Sequence, residues 1–206
     1  MKNPFEIPNN QNNQLTGLEL MGDNIRNKLK YCGKDVVLYP LAKIIRAQNA
    51  EIDNCTRILD NVFIDAGESL TIGKYSMITW FTLIEGGAKT RIGDRVFIGP
   101  GTKILTSTYK IKGIFGNENL PERFHEIMYG DITIEDDAYI GANCTIMPGV
   151  TIKEGAVIGA NALVNRDVDP WGIYVGSPCK RIGDRPKPSK EMYESLMNEI
   201  DWSNHL

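Results

Sequence analysis

Residues 132–170 read ITIEDDAYIGANCTIMPGVTIKEGAVIGANALVNRDVDP, and the stretch repeats every six positions. Ile134, Ile140, Ile146, Ile152, Ile158 and Val164 keep the beat. Two residues before an anchor, Ala138, Val150, Ala156 and Ala162 are small or β-branched. In an extended chain, residues i and i+2 point to the same side. Each hexad therefore sends one large and one small side chain inward, then turns. A helix would need period 3.6, which these segments lack. Three such hexads close a triangular coil of eighteen residues.

The beat extends upstream. Ile52, Ile58 and Ile64 are six apart, as are Ile72, Ile78 and Ile84, and Ile92, Ile98 and Ile104. Further back, a step of eight leads to Ile44 and six more to Leu38. From Ile44 to Val164 there are sixteen anchors, fifteen of them Ile. Internal repetition at this density means a solenoid. The small inward position continues through Ala50, Thr56, Val62, Ser76, Thr82, Thr90, Val96 and Thr102. Gly73, Gly93, Gly99, Gly141 and Gly159 follow anchors, where the turn is expected to need permissive backbone.

Three irregular steps of eight, 44 to 52, 64 to 72 and 84 to 92, recur at the same corner of successive coils. The gap from Ile104 to Ile134 falls there too, so about 107–131 is one inserted loop leaving one prism edge. The loop carries Tyr109, Phe115, Phe124, His125 and Tyr129, a composition unlike a disordered insertion. Long loops on compact domains often carry function. The expected fold is an all-β solenoid, a parallel β-helix of about six triangular coils over 32–169.

The flanks are simpler. Residues 1–31 read as a loose arm with a short helix at 15–31. Residues 170–206 form a Pro- and Gly-rich exit and a helix after Ser189, with Met192, Leu196 and Ile200 as its stripe. That helix is expected to cap or buttress the prism. His205 lies in the tail.

Composition excludes several function classes. The net charge of −3 gives no basic field for nucleic acid. No apolar run spans a bilayer. The polar N-terminus lacks a signal-peptide core, so a cytoplasmic location is expected. Cys32, Cys55, Cys144 and Cys179 are far apart, consistent with reduced thiols. With two histidines in the chain, no metal site is expected.

The stretches IGDRVFIGPGTKI (92–104), 132–170 and VGSPCKRI (175–182) resemble the hexapeptide-repeat acyltransferases. The resemblance is nearest to the branch of sugar O-acetyltransferases and nucleotide-amino-sugar N-acetyltransferases. It implies a left-handed coil, acetyl-CoA as donor, and a homotrimer with sites between neighbouring prisms. It implies that one subunit's inserted loop helps build the site shared with its neighbour. It also implies that coenzyme A lies along Ala142 and Ala160, near Asn165, Lys180 and Arg181. Small side chains admit the pantetheine arm, and Lys and Arg pair with phosphates.

The catalytic position departs from the family. Relatives carry a His where this chain reads ILTSTYKI (104–111), so the match is Tyr109, or Thr108 if the loop slips by one. Neutral tyrosine is a poor base near pH 7. Two readings remain open. His125, flanked by Glu122 and Glu126, acts as base from within the same loop. Alternatively the acceptor is an amine, which attacks without a protein base once neutral. On the acceptor side, Glu85 is the nearest carboxylate for a sugar hydroxyl or ammonium. Trp80, with Phe81, offers a stacking face, or else packs against the N-terminal segment or a subunit interface. The expected function is acetyl transfer to a hydroxyl or amino group of a sugar or nucleotide-linked sugar, in surface glycan synthesis. The alternatives are an antibiotic acetyltransferase or a non-catalytic binding scaffold.

Overall fold

The computed structural model describes residues 21–110, 113, 115, 116 and 119–200. The arm at 1–14, the first part of the expected N-terminal helix and His205 lie outside the described residues. Of that helix, the described part is a 3-10 helix, Gly22–Lys28, and the first strand starts at Tyr31.

The chain winds as a left-handed parallel β-helix. The first face stacks six strands: Tyr31–Cys32, Ala50–Ile52, Ser69–Ile72, Lys89–Ile92, Ile132–Ile134 and Thr151–Ile152. The second stacks Val37–Leu38, Arg57–Ile58, Met77–Ile78, Phe97–Ile98, Tyr139–Ile140, Val157–Ile158 and Gly172–Val175, then ends on the antiparallel strand Lys180–Asp184. The third stacks Lys43–Ile45, Phe63–Asp65, Leu83–Glu85, Lys103–Leu105, Thr145–Ile146 and Leu163–Val164. Six coils are complete, and Val168 with Gly172–Val175 begins a seventh.

Anchors stack on anchors: Ile52 on Ile72, Ile78 on Ile98, Ile104 on Ile146. All sixteen are buried, and so are the small residues two before them. The inward hydroxyls are satisfied between coils. Thr56 donates to the Gly73 carbonyl (2.7 Å), Ser76 to Gly93 (2.8 Å) and Thr102 to Gly141 (3.0 Å). Ser76 and Thr102 also accept N–H groups from the next coil, those of Val96 and Cys144. A polar side chain is tolerated in this core because the coil stacked on it supplies both partners.

The glycine expectation needs correcting. The left-handed turn residue falls three after the anchor, at Tyr75, Arg95, Asp137, Asn61, Phe81, Asn143 and Asn161. Gly73, Gly93, Gly99, Gly141 and Gly159 are needed for room. A Cβ on Gly99 would lie 2.6 Å from the Ala142 nitrogen, and one on Gly141 2.6 Å from that of Ala160. Stacked corners approach too closely for any side chain there.

The C-terminal helix α1 (Lys190–Glu199) is capped by Ser189, which accepts from the Met192 N–H. It buttresses the corner between the first and second faces and buries none of its own residues. Tyr193 ties it down, its hydroxyl 2.7 Å from Arg95, whose guanidinium also grips Asp137 at 2.7 and 3.0 Å.

Candidate functional site

The inserted loop leaves the corner between the third and first faces, after Leu105, and returns before Ile132. Its stem is an antiparallel pair, Ser107–Tyr109 with Ile127–Tyr129. Ser107 faces Tyr129 and Tyr109 faces Ile127, so these four side chains share one side of the stem, while Thr108 and Met128 take the other. Above the stem, the Lys110 N–H donates to the Glu126 backbone carbonyl at 2.9 Å, and the Lys110 ammonium forms an ion pair with the Glu126 carboxylate.

The stem root sits on Glu85. Ser107 Oγ donates to Glu85 Oε1 at 3.2 Å, and Thr106 Oγ1 donates to the Glu85 carbonyl at 2.6 Å. The glycines after Glu85 let the root come this close, since a Cβ on Gly87 would lie 2.9 Å from that of Ser107 and 3.1 Å from the Tyr129 ring. Higher up, the His125 ring meets Tyr109 edge-on, with centroids 6.0 Å apart and planes at 82°. His125 Nδ1 is buried and has no hydrogen-bond partner among the described residues. Glu126 does not orient that ring, because Lys110 engages its carboxylate and holds it below the usual range. The Glu122 side chain lies outside the described residues.

The Glu85–Ser107 pair at the root and the Tyr109–His125 pair above it thus lie along one side of the loop stem. The remaining expected residues are distributed differently. Trp80, Ala142 and Ala160 each stand two residues after an anchor, at the corner between the second and third faces. Asn161 donates to the Ala142 carbonyl at 2.8 Å, which stacks those last coils. Trp80 and its neighbour Phe81 are 47% and 67% exposed, so neither packs into the described prism. Asn165 is exposed at the loop's own corner. Lys180 pairs with Val175, beside Gly159, and so ends near Ala160. Arg181 is exposed and forms an ion pair with Asp184.

Within one chain the expected site is therefore split between two edges of the third face. Cys144, near Ala142, offers no nucleophile, because burial pushes its thiol up. Among the described residues no three His, Cys, Asp or Glu side chains are grouped to hold a metal. Nor is any helix long and apolar enough to cross a membrane. A cleft of about 840 Å³ lies along the corner between the first and second faces and holds none of the expected site residues. No pattern in the sequence singles out Ser107. Ser107 belongs to no hexad, and only the stacking of Glu85 under the stem reveals it.

Comparison with known proteins agrees with this architecture. Residues 131–166 match the family model for bacterial transferase hexapeptide (six repeats). A probable macrolide acetyltransferase of Lysinibacillus sphaericus is 36% identical over 67% of this chain and 71% of its own length. The dTDP-4-amino-4,6-dideoxy-D-glucose acyltransferase of Escherichia coli is 30% identical over 79% of this chain and 86% of its own. Among solved structures, AntD, an N-acyltransferase from Bacillus cereus in complex with dTDP and 3-hydroxybutyryl-CoA, superposes with a TM-score of 0.78. The two share 27% identity, over 84% of this chain and 92% of that one. With its repeats, its corner loop and these relatives in agreement, the chain belongs to the hexapeptide-repeat family of acyltransferases.

Proposed function

We propose that this protein transfers the acetyl group of acetyl-CoA to the amino group of a nucleotide-linked amino sugar, as a cytoplasmic homotrimer serving surface glycan synthesis. The observation that carries this reading is the loop stem, which sets the Glu85–Ser107 pair below the Tyr109–His125 pair on one side and leaves His125 Nδ1 buried without a partner among the described residues. The likeness to a dTDP-amino-sugar acyltransferase and to AntD with dTDP supports an amine on a nucleotide carrier.

The amine attacks the thioester carbon, and a tetrahedral oxyanion forms that coil N–H groups stabilise. His125 takes the proton released by the amine, and the carbon–sulfur bond breaks to release coenzyme A. Glu85, held by Ser107, grips the acceptor. Tyr109 walls the ring of His125. Ala142 and Ala160 border the pantetheine arm, Lys180 and Arg181 meet phosphates, and Asn165 lies across the third face, at the loop's corner. Trp80 offers a face to the acceptor's sugar or base. The split site supports this assembly, in which a neighbouring prism would set its second-to-third-face corner against this chain's loop.

The similarity to a macrolide acetyltransferase favours a second reading, acetylation of an antibiotic hydroxyl. Thiol release from acetyl-CoA by wild type and His125→Ala, with dTDP-4-amino-4,6-dideoxyglucose, free sugars and a macrolide as acceptors, decides between them. The proposal expects turnover on the amino-sugar nucleotide, reduced roughly a hundredfold in the variant. Turnover that survives the change removes His125 as base and leaves attack by an already neutral amine. Turnover on the macrolide alone replaces the sugar reading. No turnover, with acetyl-CoA bound or not, favours a non-catalytic scaffold.

A further inference from the structure

We infer that Arg46 and Asp65, on the coils below the loop, are positioning residues that hold Glu85 for the acceptor. This rests on the acceptor-binding role proposed for Glu85. Along the loop's corner, Asp65 pairs with Ile45 and Glu85 with Leu105, and their two strands join where Phe63 and Ile64 meet Leu83 and Ile84. Asp65 and Glu85 thus end adjacent strands of one sheet, strands that lie about 4.8 Å apart, and Arg46 engages the first of the two carboxylates. Its Nε and Nη2 reach the two oxygens of Asp65, each at 2.5 Å. The same Nη2 continues to the Gly86 carbonyl at 3.3 Å, forty residues away in sequence.

The clamp thus ties the first coil to the second and to Gly86, the residue that follows Glu85 on the third. Asp65 Oδ1 also accepts the Gly67 N–H at 3.2 Å, fixing the second coil's turn. Gly86 lies against that turn, where a Cβ would come 2.5 Å from the Gly67 nitrogen. Arg46 is held at φ 53°, a left-handed conformation that disfavours a non-glycine residue. The clamp leaves Asp65 ion-paired and 17% exposed, while Glu85 accepts from the Ser107 hydroxyl and forms no ion pair among the described residues. A buttressed corner beneath an unneutralised carboxylate suits recognition of an ammonium or hydroxyl, because the carboxylate need not be reoriented when the acceptor arrives.

The test uses thiol release with dTDP-4-amino-4,6-dideoxyglucose as acceptor, on Arg46→Met, Arg46→Lys, Asp65→Asn and Glu85→Gln. Circular dichroism and sedimentation report folding and assembly. Arg46→Met is expected to raise the acceptor KM about tenfold, with kcat and the acetyl-CoA KM changed by less than about threefold. Arg46→Lys keeps one contact and should recover part of the loss, and Asp65→Asn should fall between. If Arg46→Met fails to assemble, the Lys and Asn variants carry the same KM comparison. An unchanged acceptor KM in folded Arg46 and Asp65 variants, with the KM raised in Glu85→Gln, overturns the clamp and leaves the acceptor role of Glu85 standing. An unchanged KM in Glu85→Gln removes that role, and the inference with it.

Discussion

Thr102→Val is a sharp test of how this prism holds together. Thr102 is fully buried on the fourth coil. Its hydroxyl donates to the Gly141 carbonyl at 3.0 Å and accepts the Cys144 N–H at 3.3 Å. Both partners flank Ala142, on the coil above the loop. Valine keeps the branched shape, so no cavity opens and the loss is confined to the two hydrogen bonds. At about 1 kcal/mol net for each neutral bond, the cost is about 2 kcal/mol, more if both backbone groups stay dry and unpaired. For a chain of this size that corresponds to a fall in Tm of roughly 4–8 °C. Thr102→Ser removes the methyl group and keeps the hydroxyl, so it should cost about 1 kcal/mol through packing alone. The assay is thermal and urea unfolding of wild type and both variants at one protein concentration, with turnover measured alongside. If Thr102→Val unfolds within about 0.5 kcal/mol of wild type, below the 1 kcal/mol of even one lost bond, the idea that interior hydroxyls staple coil to coil is wrong.

Three further outcomes are expected. Gly87→Ala drives a methyl group into Ser107 and Tyr129 at the loop root, so turnover should fall about ten- to a hundredfold with little change in Tm, read by thiol release and calorimetry. Tyr193→Phe removes the hydroxyl bonded to Arg95, and amide exchange in α1 should accelerate while the coils keep their protection. Lys110 depresses the Glu126 carboxyl, so their bond contributes above the ordinary carboxylate range near pH 4.3 and is lost as pH falls through the lower folded value. Exchange at the loop stem should therefore accelerate in acid for wild type and lose that pH step in Glu126→Gln.

Much of this protein is legible in its sequence because a solenoid is nearly one-dimensional. Each coil contacts only its neighbours, so the period of six, the steps of eight and the corner of the inserted loop all follow from local spacing. The Ile anchors and their small partners could be read as inward, and they are buried. Residues that meet across coils were beyond that reading. The glycines after the anchors looked like turn formers, yet they are spacers, since the turn's left-handed residue stands two places later. Ser107 and Glu85 are twenty-two residues apart, and Arg46 and Gly86 forty. Such pairs depend on how many residues each corner spends, and no local pattern encodes them. The loop shows the same division. Its position and aromatic content were visible, but the meeting of Tyr109 with His125, and the capture of Glu126 by Lys110, follow from stem register. The sequence by itself determined the repeat, the prism and the edge that bears the loop, because hydrophobic periodicity is a property of the chain. The tertiary structure alone decided which side chains share the site, because that depends on stacking one coil upon the next.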